Sequence, residues 1–292
     1  VALDCGGAQL IVLKADLLAE SGDVMAAETS LEKAIEKHPM DAELRSTVAS
    51  RRLAEGRIEV AQALLDGTPP NIDHPELHIV EGRLHLARAD RRRDGTGETD
   101  QLLLGSAIQS FEAALQLNRE LGVAWLGLAR TQRLMKNLDE ASESLTRAKR
   151  LLGDTDSSCS IEGALLAIDL NDIHAATRYI DAAEIQGSGP TVAYVRGNIA
   201  IQSGDAERAI AMYTETLNER PKHIRARLNR ISCYLGLDQA VEAMIVTQGG
   251  NQYRRAIGYA TDRFGVIAAG AMHPAFVILD IAGGNSDKGQ TS

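Results

Sequence analysis

Apolar and small residues recur along this chain at helical spacing, and the pattern they form is itself repeated. In "ESGDVMAAETSLEKAIEKHP" (residues 20–39), Ala27 stands five places after Gly22, Leu31 follows four places later, and Pro39 closes the stretch. "QSGDAERAIAMYTETLNERP" (residues 202–221) keeps that order with Gly204, Ala209, Tyr213 and Pro221. Apolar positions spaced this way predict an amphipathic helix with one buried face. The glycine supplies the positive φ at which a preceding helix stops, and the Asp beside it caps the next helix. Proline cannot continue a helix, so it separates one unit from the next.

The trio returns in register as Gly56, Ala61 and Leu65, as Ala107 and Phe111 with Ala114, as Ala141, Leu145 and Ala148, and as Asn171, Ala176, Ile180 and Ala183. A weaker copy, "LGLDQAVEA", ends at Ala243. Units are expected to begin near residues 8, 42, 75, 122, 157, 190 and 224. Their spacing stays close to 34, except where "DRRRDGTGETDQL" (90–102) is expected as an inserted loop. Each unit reads as two helices joined by a tight turn. One such hairpin cannot hide its apolar stripe alone, so the pattern predicts stacking of copies into a continuous core over residues 1–248. Beyond it, "NQYRRAIGYATDRFG" is expected to add one capping helix within 249–292, and "NSDKGQTS" reads as a tail.

Composition sharpens this picture in two places. Aromatic residues make up only 3% of the chain, so its core must be built from Ala, Leu, Ile and Val, which suits close-packed helices better than a β-sandwich. The 31 basic and 40 acidic residues give a net charge of −9, which repels a phosphate backbone, so no nucleic-acid partner is expected. Cys5, Cys159 and Cys233 lie far apart with no CxxC pair, leaving no disulfide framework, no zinc spacing and an open redox compartment. Cys5 also lacks a lipobox context, since Asp4 stands where a small residue belongs. No apolar run reaches membrane-spanning length.

The register of these units resembles that of the tetratricopeptide repeat family over roughly residues 8–248. Trp125 and Leu128 fit the family pattern in the fourth unit, whereas Arg45 and Arg52 replace apolar residues in the second, and Gly249–Gly250 interrupt the seventh. The resemblance implies an all-α, right-handed α-solenoid of stacked helical hairpins that binds a partner peptide or protein in a concave groove. By the same resemblance, the groove is lined by Ile79, Arg83 and Leu86, by Leu126, Arg130 and Arg133, by Ile161 and Leu165, by Tyr194 and Asn198, and by Arg225 and Leu228. Its arginines would suit an acidic residue on a partner with apolar anchors. The resemblance also leans towards bacterial proteins of exopolysaccharide export or envelope assembly, in the cytoplasm or the envelope.

Other chemistry is sparse. His78, Glu81 and His85 fall near one helical face, but at positions that the family packs inward, so two packed histidines beside Glu81 are expected rather than a metal site. Asn198, Asn229 and Arg263 match three positions of a carboxylate clamp known in the family, while Tyr194 and Tyr259 replace its lysines. No HExxH, GxSxG or P-loop sequence occurs, so no catalytic residue and no cofactor is expected. Two other readings stay open: a regulatory or substrate-presenting part of a larger enzyme, and a self-associating structural element.

Overall fold

The structure, a computed structural model, describes residues 7–96, 99–153, 155–187 and 189–237. Cys5, the segment 249–292, Tyr259 and Arg263 lie outside the described residues. Among those described, every regular element is an α-helix: α1 (Gly7–Glu20), α2 (Val24–Lys37), α3 (Ala42–Ala54), α4 (Ile58–Asp66), α5 (Pro75–Thr96), α6 (Gln101–Leu117), α7 (Gly122–Leu134), α8 (Leu138–Leu152), α9 (Ser157–Asp169), α10 (Ile173–Ile185), α11 (Pro190–Gln202), α12 (Ala206–Glu219) and α13 (Ile224–Gly236). They form two compact units, Val1–Glu162 and Gly163–Ser292. Each is a stack of helical hairpins, the architecture of an all-α solenoid.

Local chemistry sets the hairpins. Gly22, Gly56 and Gly204 turn the chain at φ +90°, +75° and +78°. Asp23, Asp172 and Asp205 then cap α2, α10 and α12 by accepting from the backbone N–H three residues on, at 2.8–3.0 Å. Lys136 and Asn171 hold the same left-handed turn without being glycine.

In the first unit, α1 pairs with α2, α3 with α4, α5 with α6 and α7 with α8, and the odd-numbered helices α1, α3, α5 and α7 also pack on one another in sequence. Ala27, Leu31 and Ala34 of α2 meet Leu44 and Val48 of α3, and Ile58 and Ala61 of α4 meet Leu84 of α5. Phe111 of α6, wholly buried, centres a cluster with Ala107, Ala114, Ala124 and Leu128. In the second unit, Ala209, Tyr213 and Leu217 of α12 pack against Ala226 and Cys233 of α13.

The segment expected as an inserted loop at 90–102 differs: α5 continues helically through Thr96. It contains no proline, and ion pairs hold the extension. Arg93 lies 3.8 Å from Asp90 one turn back, Arg91 reaches Glu59 of α4 at 2.5 Å, and Arg92 reaches Asp100 at 2.6 Å.

Arg45 and Arg52 are buried as the apolar residues they replace would be. Arg52 donates to both Glu28 oxygens and to Glu55. Desolvation would lower its pKa, but the bonds to Glu55 and Glu28 outweigh that and raise it. Arg45 instead donates to the Leu64 and Pro39 carbonyls at 2.9 and 3.2 Å, and burial lowers its pKa.

Candidate functional site

Helix α5 positions the first candidates. Ile79 and Leu86 were expected on an open wall, but both are core residues of the Phe111 cluster. Contact with α6 and α7 turns that face of α5 inward. Arg83 stays exposed. Its pKa is nevertheless lowered by desolvation, against the opposite pull of Glu76. Among the described residues, no carboxylate lies within ion-pair distance of it.

The neighbouring arginines are engaged. Arg130 of α7 donates to Asp90 of α5 at 2.7 Å, and Arg133 donates to Glu162 of α9, both groups nearly buried. Arg51 of α3 pairs with Asp16 of α1 in the same way. These arginines therefore tie consecutive first helices together. Leu126 and Ile161 are half-buried.

In the second unit, Asn198 is buried and not available on a groove wall. Its Oδ1 accepts from Tyr213 Oη at 2.8 Å and from Asn229 Nδ2 at 3.0 Å. The triangle is closed by Asn229 donating to Tyr213 Oη at 3.1 Å. Asn198 and Asn229 are thus spent on joining α11, α12 and α13 and cannot clamp a carboxylate, while Arg263 lies outside the described residues. Tyr194 is half-buried against His223 and Tyr213, with ring centroids 4.7 and 5.9 Å apart. Leu165, Arg225 and Leu228 are half-buried.

His78 bonds Asp73 at 2.7 Å and lies 3.6 Å from Glu81. The Glu81 carboxylate beside it raises its pKa against desolvation, with Asp73 adding to the rise. His85 is desolvated, which lowers its pKa, and its buried Nδ1 has no hydrogen-bond partner among the described residues. Among the described residues, no group of three His, Cys, Asp or Glu side chains is arranged to hold a metal ion. Burial, with Asp156 nearby, pushes the Cys159 thiol up to about 12, which makes it a poor nucleophile.

Sequence reasoning missed the glycines that face aromatic rings. Phe111 lies against Gly82 of α5 and Gly127 of α7, Tyr179 against Gly163 and Tyr213 against Gly197; a Cβ at any of them would collide with the ring. The signal was present as glycines inside otherwise good helices, which calls for a packing reason.

Comparison with known proteins accounts for this architecture. Tetratricopeptide repeat family models match residues 12–72, 161–223 and 200–256. The chain belongs to the tetratricopeptide repeat (TPR) family. Among solved structures, a TPR protein from Parabacteroides merdae is similar over 87% of this chain and 98% of its own, at 12% identity and a TM-score of 0.59. PilW, described as a widely conserved type IV pilus biogenesis factor, is similar over 74% and 94%, at 14% identity and a TM-score of 0.53. The APC/C Cut9–Hcn1 structure is similar over 91% of this chain, which spans about half (51%) of that one, at 16% identity and a TM-score of 0.61. No curated protein matches significantly. TPR repeats are generally protein-interaction modules rather than catalytic ones. Among the described residues, no helix is long and apolar enough to cross a membrane.

Proposed function

We propose that this TPR chain is a non-catalytic scaffold that holds a partner peptide against the wall formed by α3, α5 and α7 of its first unit. The observation that carries this is Arg83: an exposed guanidinium with no carboxylate in ion-pair range among the described residues, on a wall where Arg51, Arg130 and Arg133 are paired. A guanidinium favours a bidentate carboxylate, so the partner segment carries an Asp or Glu there. Val123 and Leu126, half-buried on the adjacent α7, supply apolar contact beside it. Because the wall is already held by the Arg130–Asp90 and Arg133–Glu162 pairs, binding orders the partner without reordering the scaffold.

The narrower reading is service in bacterial envelope assembly, polysaccharide export included. PilW puts the same fold to work in type IV pilus biogenesis.

A pull-down from bacterial envelope and cytoplasmic extracts with the intact chain, repeated with Arg83→Glu, tests the site. Partners should be lost with Arg83→Glu and regained with Arg83→Lys only in part. Partners that survive Arg83→Glu unchanged place the site elsewhere.

A further inference from the structure

Helix α5 packs between α3 and α7 in the first unit, and both neighbours are among the described residues. On the side of α5 that holds Arg83 stand Glu76, Arg83 and Asp90, each seven residues from the last and so aligned along one face. Asp90 is taken: it accepts from Arg130 of α7 at 2.7 Å and lies 3.8 Å from Arg93. Glu76 is half-buried and Arg83 exposed. Among the described residues, neither side chain has an ion-pair partner. Burial lowers the Arg83 pKa while Glu76 pulls against it, so the two charges sense each other without meeting. The wall therefore offers one carboxylate and one guanidinium, two helical turns apart.

That spacing decides what can bridge them. Seven residues of α-helix rise about 10.5 Å. In a polyproline II segment, residues three apart point the same way and lie about 9 Å apart. A β-type strand returns a side chain to one face at about 6.7 or 13 Å, a poorer match. A partner helix could present charges seven residues apart, but it docks through apolar anchors at i, i+3, i+4 and i+7. Helix α5 offers them nothing there: Leu77, Ile79 and Val80, the apolar residues between Glu76 and Arg83, are all buried. Residues 238–292 of the chain do not supply a matching extended segment, since no Lys or Arg among them stands three places from an Asp or Glu.

We infer, resting on the Arg83 wall as the partner site, that the bound segment is extended in the polyproline II manner and carries a Lys or Arg three residues from its Asp or Glu. The acid meets Arg83 and the base meets Glu76. A segment whose base precedes its acid runs parallel to α5, and one with the opposite order runs antiparallel. An acid alone leaves Glu76 unpaired and binds more weakly.

The test presents a display library of random short peptides to the intact chain at low salt and sequences those retained. Peptides with a base three residues from an acid should be enriched over every other spacing. Arg83→Gln should weaken the best of them about tenfold, through loss of a charge-assisted bidentate bond. Glu76→Gln should weaken it about threefold, as for an exposed pair. The Glu76→Gln loss should vanish for the same peptide with its base changed to Gln. That peptide change leaves the chain untouched, so it reads the pair even if a variant melts early. Retained peptides with an acid but no base, sensitive to Arg83→Gln and not to Glu76→Gln, overturn this inference and leave the wall reading standing. A preferred spacing of seven residues overturns the extended conformation and the inference with it. Peptides indifferent to Arg83→Gln, or no retained peptide at all, overturn both.

Discussion

The seam around Phe111 and the seam around Arg52 occupy equivalent places, each between the second helix of one hairpin and the first helix of the next. One is made of volume. Phe111 fills a slot lined by Gly82 and Gly127, and a Cβ on Gly82 would come within 2.8 Å of its ring. The other is made of charge. Arg52, 3% exposed, bridges Glu28 of α2 and Glu55 at the end of its own helix. The repeat therefore constrains where a seam is, not what fills it. A hydrophobic slot fails when its shape is wrong, whereas an ionic seam fails when one partner is left without the other.

That contrast can be broken most forcefully at Phe111. Phe111→Ala should cost about 3–5 kcal/mol in urea unfolding, since the helices on either side relax only partly into the cavity. A loss below about 1 kcal/mol would mean that the slot is not rigid. Next in size is Glu28→Ala, expected to cost about 2–3 kcal/mol by leaving a buried guanidinium with Glu55 alone. Replacing Glu28 and Arg52 together by Met should recover most of that loss; if the double variant is as unstable as the single one, the seam depends on more than pairing. Gly82→Ala should cost about 1–2 kcal/mol through its clash with Phe111, even though alanine is the better helix former by about 1 kcal/mol. A stabilised Gly82→Ala protein would show that the ring yields.

The smallest effect concerns pH. The folded pKa of His78 is raised above its ordinary 6.5, so its contribution to stability is complete below that value and is lost as pH rises through the folded pKa. His85 is shifted the other way, so its contribution is present above 6.5 and lost as pH falls. Unfolding midpoints between about pH 5 and 8 should therefore show the decline above 6.5 in the parent but not in His78→Gln. An unchanged profile would remove His78 from the account.

Much of the hairpin architecture was legible because it is local. Gly22, Gly56 and Gly204 announce turns through their own backbone freedom, and Asp23, Asp172 and Asp205 announce caps through oxygens that reach only three residues on. The open wall was not legible in the same way. Arg83 and Ile79 are one turn apart on one helix, yet one is exposed and the other is core. Asn198 reads like a surface residue until Tyr213 and Asn229 close around it.

From the sequence alone follow the helical hairpins, their repetition and membership in a stacking family, because helical periodicity, capping and the Ala-plus-large-apolar trio are written within a few residues of one another. Only the tertiary structure decides which residues of the first helices stay open. Rotation of α5 against α6 and α7 buries Ile79 and Leu86. Arg130 and Arg133 are occupied by carboxylates 40 and 29 residues away. Burial and ion pairing depend on which side chains meet across helices, and that is a property of packing in three dimensions, not of spacing along the chain.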